Sequence, residues 1–201
     1  MLIFFLLFCL SFSSFLSANE TRPVVSILEK RHENVVLQQW ELSCAAAALA
    51  TILRYQYGIP VTERSVALGL INRKEYISNP ELIKIRQGFS LLDLKRYVDR
   101  LGFEGLGLGQ LTLADLIEHA PIMVPVTIQG YPHFVVFRGA TESSVLLADP
   151  SFGNLTLPTY KFLDSWIKYK DINHVGFVVS KSGKLAPPGR LSPKAMEFSI
   201  L

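Results

Sequence analysis

Gln38-Gln39-Trp40-Glu41-Leu42-Ser43-Cys44-Ala45-Ala46-Ala47-Ala48-Leu49-Ala50 is the stretch on which the reading of this chain turns. Ser43 is a residue type suited to a helix cap, and the alanines beyond Cys44 are strong helix formers. The pattern predicts Cys44 in the first turn of a helix. Backbone N–H groups without intrahelical partners converge there, and the helix dipole favours negative charge. Such a place favours the thiolate, the nucleophilic form of cysteine. The small alanines let other segments come close. Gln38, six residues before the cysteine, carries an amide suited to holding an oxyanion beside the sulfur. The plainer alternative is a small core cysteine, since free cysteine is among the most buried residue types.

The 201 residues suit one domain, and 49% are hydrophobic, enough for a sizeable core. The net charge is +3, with Lys and Arg scattered and no basic patch interleaved with aromatics. That argues against nucleic-acid binding. Residues 1–18 are apolar and then rich in small residues, and read as a secretory signal peptide, with an N-terminal anchor as the alternative. Cleavage after Ala18 removes Cys9 and leaves Cys44 alone. The expected location is the periplasm or the exterior. A lone cysteine there makes no internal disulfide and is either inert in a core or kept for its reactivity.

Residues 19–34 read as an exposed lead-in, 35–180 as the folded domain, and 181–201, with Gly183, Pro187, Pro188 and Gly189, as a flexible tail. Helices are expected over 44–57, ending at Gly58, and over 62–71. Residues 72–88 look irregular, with a short helical turn near 81–85. Ser90 with Asp93, and Thr112 with Asp115, have capping-box spacing and start two more helices. In the first of these, Leu91, Leu94, Tyr97, Val98 and Leu101 form the apolar stripe. Gly105, Gly107 and Gly109 alternate with leucines in a strand close to other backbone. Strands follow at 121–128, 133–140, 145–149, 154–157 and 175–180, and 159–170 is amphipathic. Helices first and an antiparallel sheet after them make an α+β, two-layer domain.

A cysteine nucleophile needs a base, and the base needs an orienting group. His32 lies in the lead-in, and His119 sits at a helix C-terminus, where the dipole explains it. His133 and His174 remain. If the hairpin around 139–143 is symmetric about Thr141, His133 faces Asp149 directly, within the contact range of opposed strand residues. His174, with Asp171 nearby, is the alternative base. The histidines lack zinc-ligand spacing, so no metal or other cofactor is expected.

Gln38-x5-Cys44, the alanine-rich helix with Leu49, Ala50 and Leu53, His133-Phe134-Val135-Val136 and Ala148-Asp149-Pro150 together resemble the bacteriocin-processing (double-glycine leader) cysteine peptidase family, a papain-like group. The resemblance covers about 35–180. It implies a papain-like fold with Cys44 as nucleophile, His133 as general base, Asp149 as orienting acid and Gln38 as oxyanion donor. Two departures stand out. Ala45 replaces the glycine usual after the cysteine, adding a methyl beside the nucleophile. The chain also looks free-standing and exported, whereas the best-known members are cytosolic domains fused to transporters.

The expected function is an exported cysteine endopeptidase, monomeric, acting on a peptide or protein. Two rivals use the same residues differently. An acyl transferase would pass the thioester to an amine, and a non-catalytic periplasmic binding module would keep the cleft without the chemistry.

Overall fold

The computed structural model describes residues 25–181, 189–194 and 197. The expected signal segment or anchor at 1–18, with Cys9, lies outside the described residues. Helices come first in the chain: α1 (Ile27–His32), α2 (Cys44–Thr51), α3 (Glu63–Ile71), α4 (Lys74–Ser78), α5 (Glu81–Ile85) and α6 (Leu91–Arg100). After β1 (Glu104–Leu108) and α7 (Leu113–His119), strands dominate: β2 (Ile122–Ile128), β3 (Tyr131–Ala140), β4 (Ser144–Asp149) and β5 (Gly153–Pro158). Helix α8 (Thr159–Ser165), the small ribbon β6 (Lys168–Tyr169) and β7 (Asn173–His174), and β8 (Gly176–Ser180) follow. The main sheet has the order β1-β8-β2-β3-β4-β5, antiparallel throughout.

The starts of four described helices are fixed locally. Ser26, Thr62, Ser90 and Thr112 each accept the N–H three residues on, and the side chain at that position returns the bond. Helix α2 is apolar except for Thr51 at its end. All eight of its residues are buried, and it forms the centre of the core. The Thr51 hydroxyl donates to the Ala47 carbonyl (2.9 Å) and accepts the Val36 N–H (2.9 Å). Such back-bonding loosens a helix, and the chain passes here into a π-helical stretch, Ile52–Gln56, which ends before Gly58 at φ +71°.

One sheet face packs on α2, α3 and α6 through Met123, Val136, Ala148, Phe177 and Val179. The α+β architecture therefore has its helices on the sheet as the sequence implies. The second face is covered as well, so the domain has three layers where two are expected from the sequence. Leu116 of α7, Phe162 of α8 and Trp166 pack on Ile122, Val124, Phe137 and Val178. Both faces being apolar explains why β2 to β4 read as continuous hydrophobic runs without polar alternation.

Residues 27–32 of the exposed lead-in form α1, which buries none of its residues and is held to β5 by Asn154 Nδ2, donating to the carbonyls of Glu33 (2.7 Å) and Lys30 (3.4 Å). Three expectations of detail need correction. Residues 74–78, expected to be irregular, form α4 because Tyr76 has a buried slot. Leu101 is exposed, since α6 stops one residue before it. The described part of the expected flexible tail is docked. Leu191 is buried, its carbonyl accepts from Arg138 Nε at 3.0 Å, and Arg138 Nη1 lies 2.9 Å from Glu197. No described helix is long and apolar enough to cross a membrane.

Candidate active site

Cys44 is the first residue of α2 and only 7% exposed. Ser43 does not cap the helix with its side chain. Its carbonyl accepts the Ala47 N–H at 2.9 Å, but its hydroxyl turns to the Trp40 carbonyl (2.7 Å) and the Glu63 carboxylate. The N–H groups of the first turn are thereby left without a side-chain cap, and their partial positive charge faces the cysteine.

His133 and Asp149 meet, but not by the route that a symmetric hairpin suggests. The loop between β3 and β4 is Thr141–Ser143, closed by the Thr141 N–H on the Ser144 carbonyl at 2.8 Å. Ala140 pairs with Val145 and Gly139 with Leu146, whereas Phe137 pairs with Leu147 and Val136 with Ala148. Arg138 is the extra residue of a β-bulge. Continued without the bulge, the turn's register would put His133 and Asp149 on opposite faces, because one residue of slip inverts the face. The bulge restores parity. Asp149 then stands diagonal to His133 on one face, and His133 Nε2 lies 2.9 Å from Asp149 Oδ1.

The same Oδ1 accepts the N–H of Ser151 (2.7 Å) and of Phe152 (3.3 Å), so the carboxylate is fixed by its own turn. His133 has a pKa pushed up to about 9. Burial works against its charged form and is the largest single influence. The hydrogen bonds and charges of Asp149 and Cys44 together outweigh it. With Nε2 engaged by Asp149, Nδ1 is the ring nitrogen left for the thiol.

Gln38 is tied to this group through its backbone, and its side chain borders neither of the cavities that meet at Cys44. Its N–H donates to the carbonyl of Pro150, next to Asp149, at 2.8 Å. Its Nε2 donates to the Trp40 carbonyl at 3.3 Å, which leaves that nitrogen a second hydrogen. Two cavities of about 400 and 390 Å3 meet at Cys44, Gln87, Pro132 and His133, so the pair lies at the waist of a groove. Phe134, Tyr169 and Ile172 line one lobe, and Leu42, Tyr131 and Phe152 the other. Phe134 and Phe152 are groove residues, and Phe134 also packs against the core beneath. Ala45 is buried in the core and lines neither lobe, so its methyl does not narrow the groove.

The other histidines serve elsewhere. His174 stacks on Trp166 with ring centroids 4.4 Å apart, which removes it as the base. His32 is exposed at the end of α1, and His119 ends α7. The sequence reading missed the loop 86–90, whose Gln87 borders both lobes, and the buried Glu63. Gly88, at φ +120°, was the available signal for a tight loop; for Glu63 there was none.

Residues 32–170 match the peptidase C39 family. The chain belongs to the peptidase C39 family. It is 38% identical over 181 residues to the probable functional amyloid protease FapD of Pseudomonas fluorescens, covering 86% of this chain and 74% of that one. It is 37% identical over 146 residues to the FapD of Pseudomonas aeruginosa, covering 72% of this chain and 62% of that protein. This C39 member is a cysteine peptidase on both grounds. Among solved structures, a double glycine motif protease from an AMS/PCAT transporter, in complex with its leader peptide, superposes with a TM-score of 0.58 at 21% identity. That match covers 74% of this chain and 91% of the other, and supports the papain-like fold.

Proposed function

We propose that this C39 peptidase is an exported endopeptidase in which Cys44, His133, Asp149 and Gln38 carry the reaction. The observation that carries the reading is the His133–Asp149 contact of 2.9 Å beside Cys44 at the waist of a groove, with Asp149 and Cys44 together holding the His133 pKa up against burial. The Cys44 thiolate attacks the peptide carbonyl. The oxyanion forms beside the second Gln38 amide hydrogen and the Cys44 N–H, a stabilisation worth about 2.7–4 kcal/mol per donor. Protonated His133 gives its proton to the leaving amine, and the acyl group stays on sulfur as a thioester. Neutral His133 then takes a proton from water, which attacks the thioester and releases the acid. Asp149 holds the ring orientation and stabilises the imidazolium.

The two-lobed groove suits an extended peptide running past the waist on both sides. The leader-peptide complex of the structural neighbour supports a peptide ligand, and the FapD likeness supports a protein substrate belonging to a functional amyloid system. Export rests on the apolar residues 1–18 and is checked by fractionating cells that make the full chain.

The test is digestion of a proteome-derived peptide library by the wild type and by Cys44→Ala, with and without added amine. New free termini with the wild type alone support the proposal. Amine conjugates would point to a transferase, and identical products from both proteins would refute Cys44 as the nucleophile.

A further inference from the structure

We propose that Glu63 is a positioning residue for the oxyanion site, holding the turn whose two ends carry the donors. This rests on the reading of Cys44 as nucleophile and Gln38 as donor. Glu63 opens α3 just after its cap, a place where glutamates ordinarily face water and complement the helix dipole. Here it is 4% exposed. Glutamate is seldom so buried without a charge partner, yet among the described residues Glu63 makes no ion pair. Its Oε1 instead accepts the Gln39 N–H at 2.8 Å and bonds the Ser43 hydroxyl.

Those two contacts clamp both ends of one turn. Gln38 immediately precedes Gln39, and Cys44 immediately follows Ser43, so one carboxylate oxygen fixes the neighbours of both oxyanion donors. The Trp40 carbonyl, inside the turn, accepts the Ser43 N–H (3.3 Å) and Gln38 Nε2 (3.3 Å). The direction of the Gln38 amide therefore depends on where the clamped turn puts that carbonyl. Glu63 borders neither lobe of the groove, and it does not touch substrate; it acts through Gln38 and Cys44. A donor moved by a fraction of an ångström loses stabilisation of an oxyanion, whereas attack on a saturated carbon needs no such donor.

Two reagents separate these cases in the full chain. With p-nitrophenyl acetate, the Cys44 thiolate bonds the ester carbon through a tetrahedral oxyanion and p-nitrophenolate leaves. Water then releases acetate from the thioester. With iodoacetamide, sulfur bonds the methylene carbon and iodide leaves, with no oxyanion formed. Glu63→Ala is expected to slow acylation by roughly 10- to 100-fold while alkylation changes by less than about 3-fold. Glu63→Gln, whose carbonyl oxygen accepts the same two donors, is expected to restore acylation to within about 5-fold of wild type. Ser43→Ala, which removes one donor, gives a smaller fall in acylation alone, and carries the comparison if Glu63→Ala does not fold. Equal loss of both reactions, or no loss of either, overturns the proposal. A wild type with neither an acylation burst nor His133-dependent alkylation would instead overturn the nucleophile reading.

Discussion

Asp93 and Asp149 are each 1% exposed and each accept backbone N–H groups from their own turn, but the partner on the rest of the carboxylate differs. Asp93 lies in the helical layer, at the third position of α6. It takes the Ser90 N–H (3.0 Å) and hydroxyl (2.9 Å), the Tyr76 hydroxyl, and the Arg73 guanidinium. Arg73 keeps its charge at every ordinary pH, so the network is closed and permanent. It ties α4 and α6 together. Asp149 lies at the sheet end and faces His133, a cation whose charge can come and go beside the groove. Identical burial thus meets a partner of fixed charge at one site and a partner that titrates at the other.

Replacing Asp149 should sharpen this contrast most. Asp149→Asn keeps the shape but removes the charge behind His133, and turnover is expected to fall by about 10²- to 10⁴-fold. The melting temperature should also fall at neutral pH, by what the His133–Asp149 charge pair contributes, and approach the wild-type value above about pH 9. Asp93→Ala should cost stability without touching the groove chemistry. It strands Arg73, which is 11% exposed, and is expected to cost about 3–5 kcal/mol in denaturant titrations. Iodoacetamide should label Cys44 in the surviving folded protein at the wild-type rate. If Asp93→Ala lowered turnover in the folded fraction as far as Asp149→Asn does, the division between the two sites would fail.

The pH dependence is the next effect in size. A histidine whose folded pKa, about 9, lies above its ordinary value of 6.5 adds stability that is complete below about pH 6.5. That contribution is lost as pH rises through about 9, and is on the order of a few kcal/mol, most of the ring being buried. Denaturation midpoints measured from pH 6 to 10 should fall over this window in the wild type and fall less in Asp149→Asn. The smallest effect is Ser90→Ala, which removes a helix cap and is expected to cost about 1 kcal/mol with no change in labelling.

What the sequence discloses follows the range of the forces involved. The caps at Ser90 and Thr112 are legible because each box closes within four residues. The helix beneath Cys44 is legible from its alanines, and the close approach at Gly105 from the missing side chain: a Cβ there would stand 2.7 Å from Val98 and 2.8 Å from Phe177. The meeting of His133 with Asp149 is legible only in part. Symmetry about Thr141 is two residues out of register at Val136, and an even error preserves the face. The bulge at Arg138 is illegible because its causes are distant: the Asn154 side chain (2.7 Å), the Leu191 carbonyl and Glu197 converge on one buried guanidinium. The burial of Glu63 is illegible for the same reason, since its partners lie 20 to 24 residues earlier. Cys44 reads equally as core or nucleophile until His133 stands beside it.

The most direct test of that pairing is the rate of Cys44 alkylation by iodoacetamide against pH, in the wild type, His133→Ala and Asp149→Asn. A thiolate–imidazolium pair predicts labelling that stays fast below about pH 6 in the wild type, weakens in Asp149→Asn and collapses in His133→Ala. Slow labelling in all three proteins, rising together only near the ~8.5 of an ordinary thiol, would contradict it.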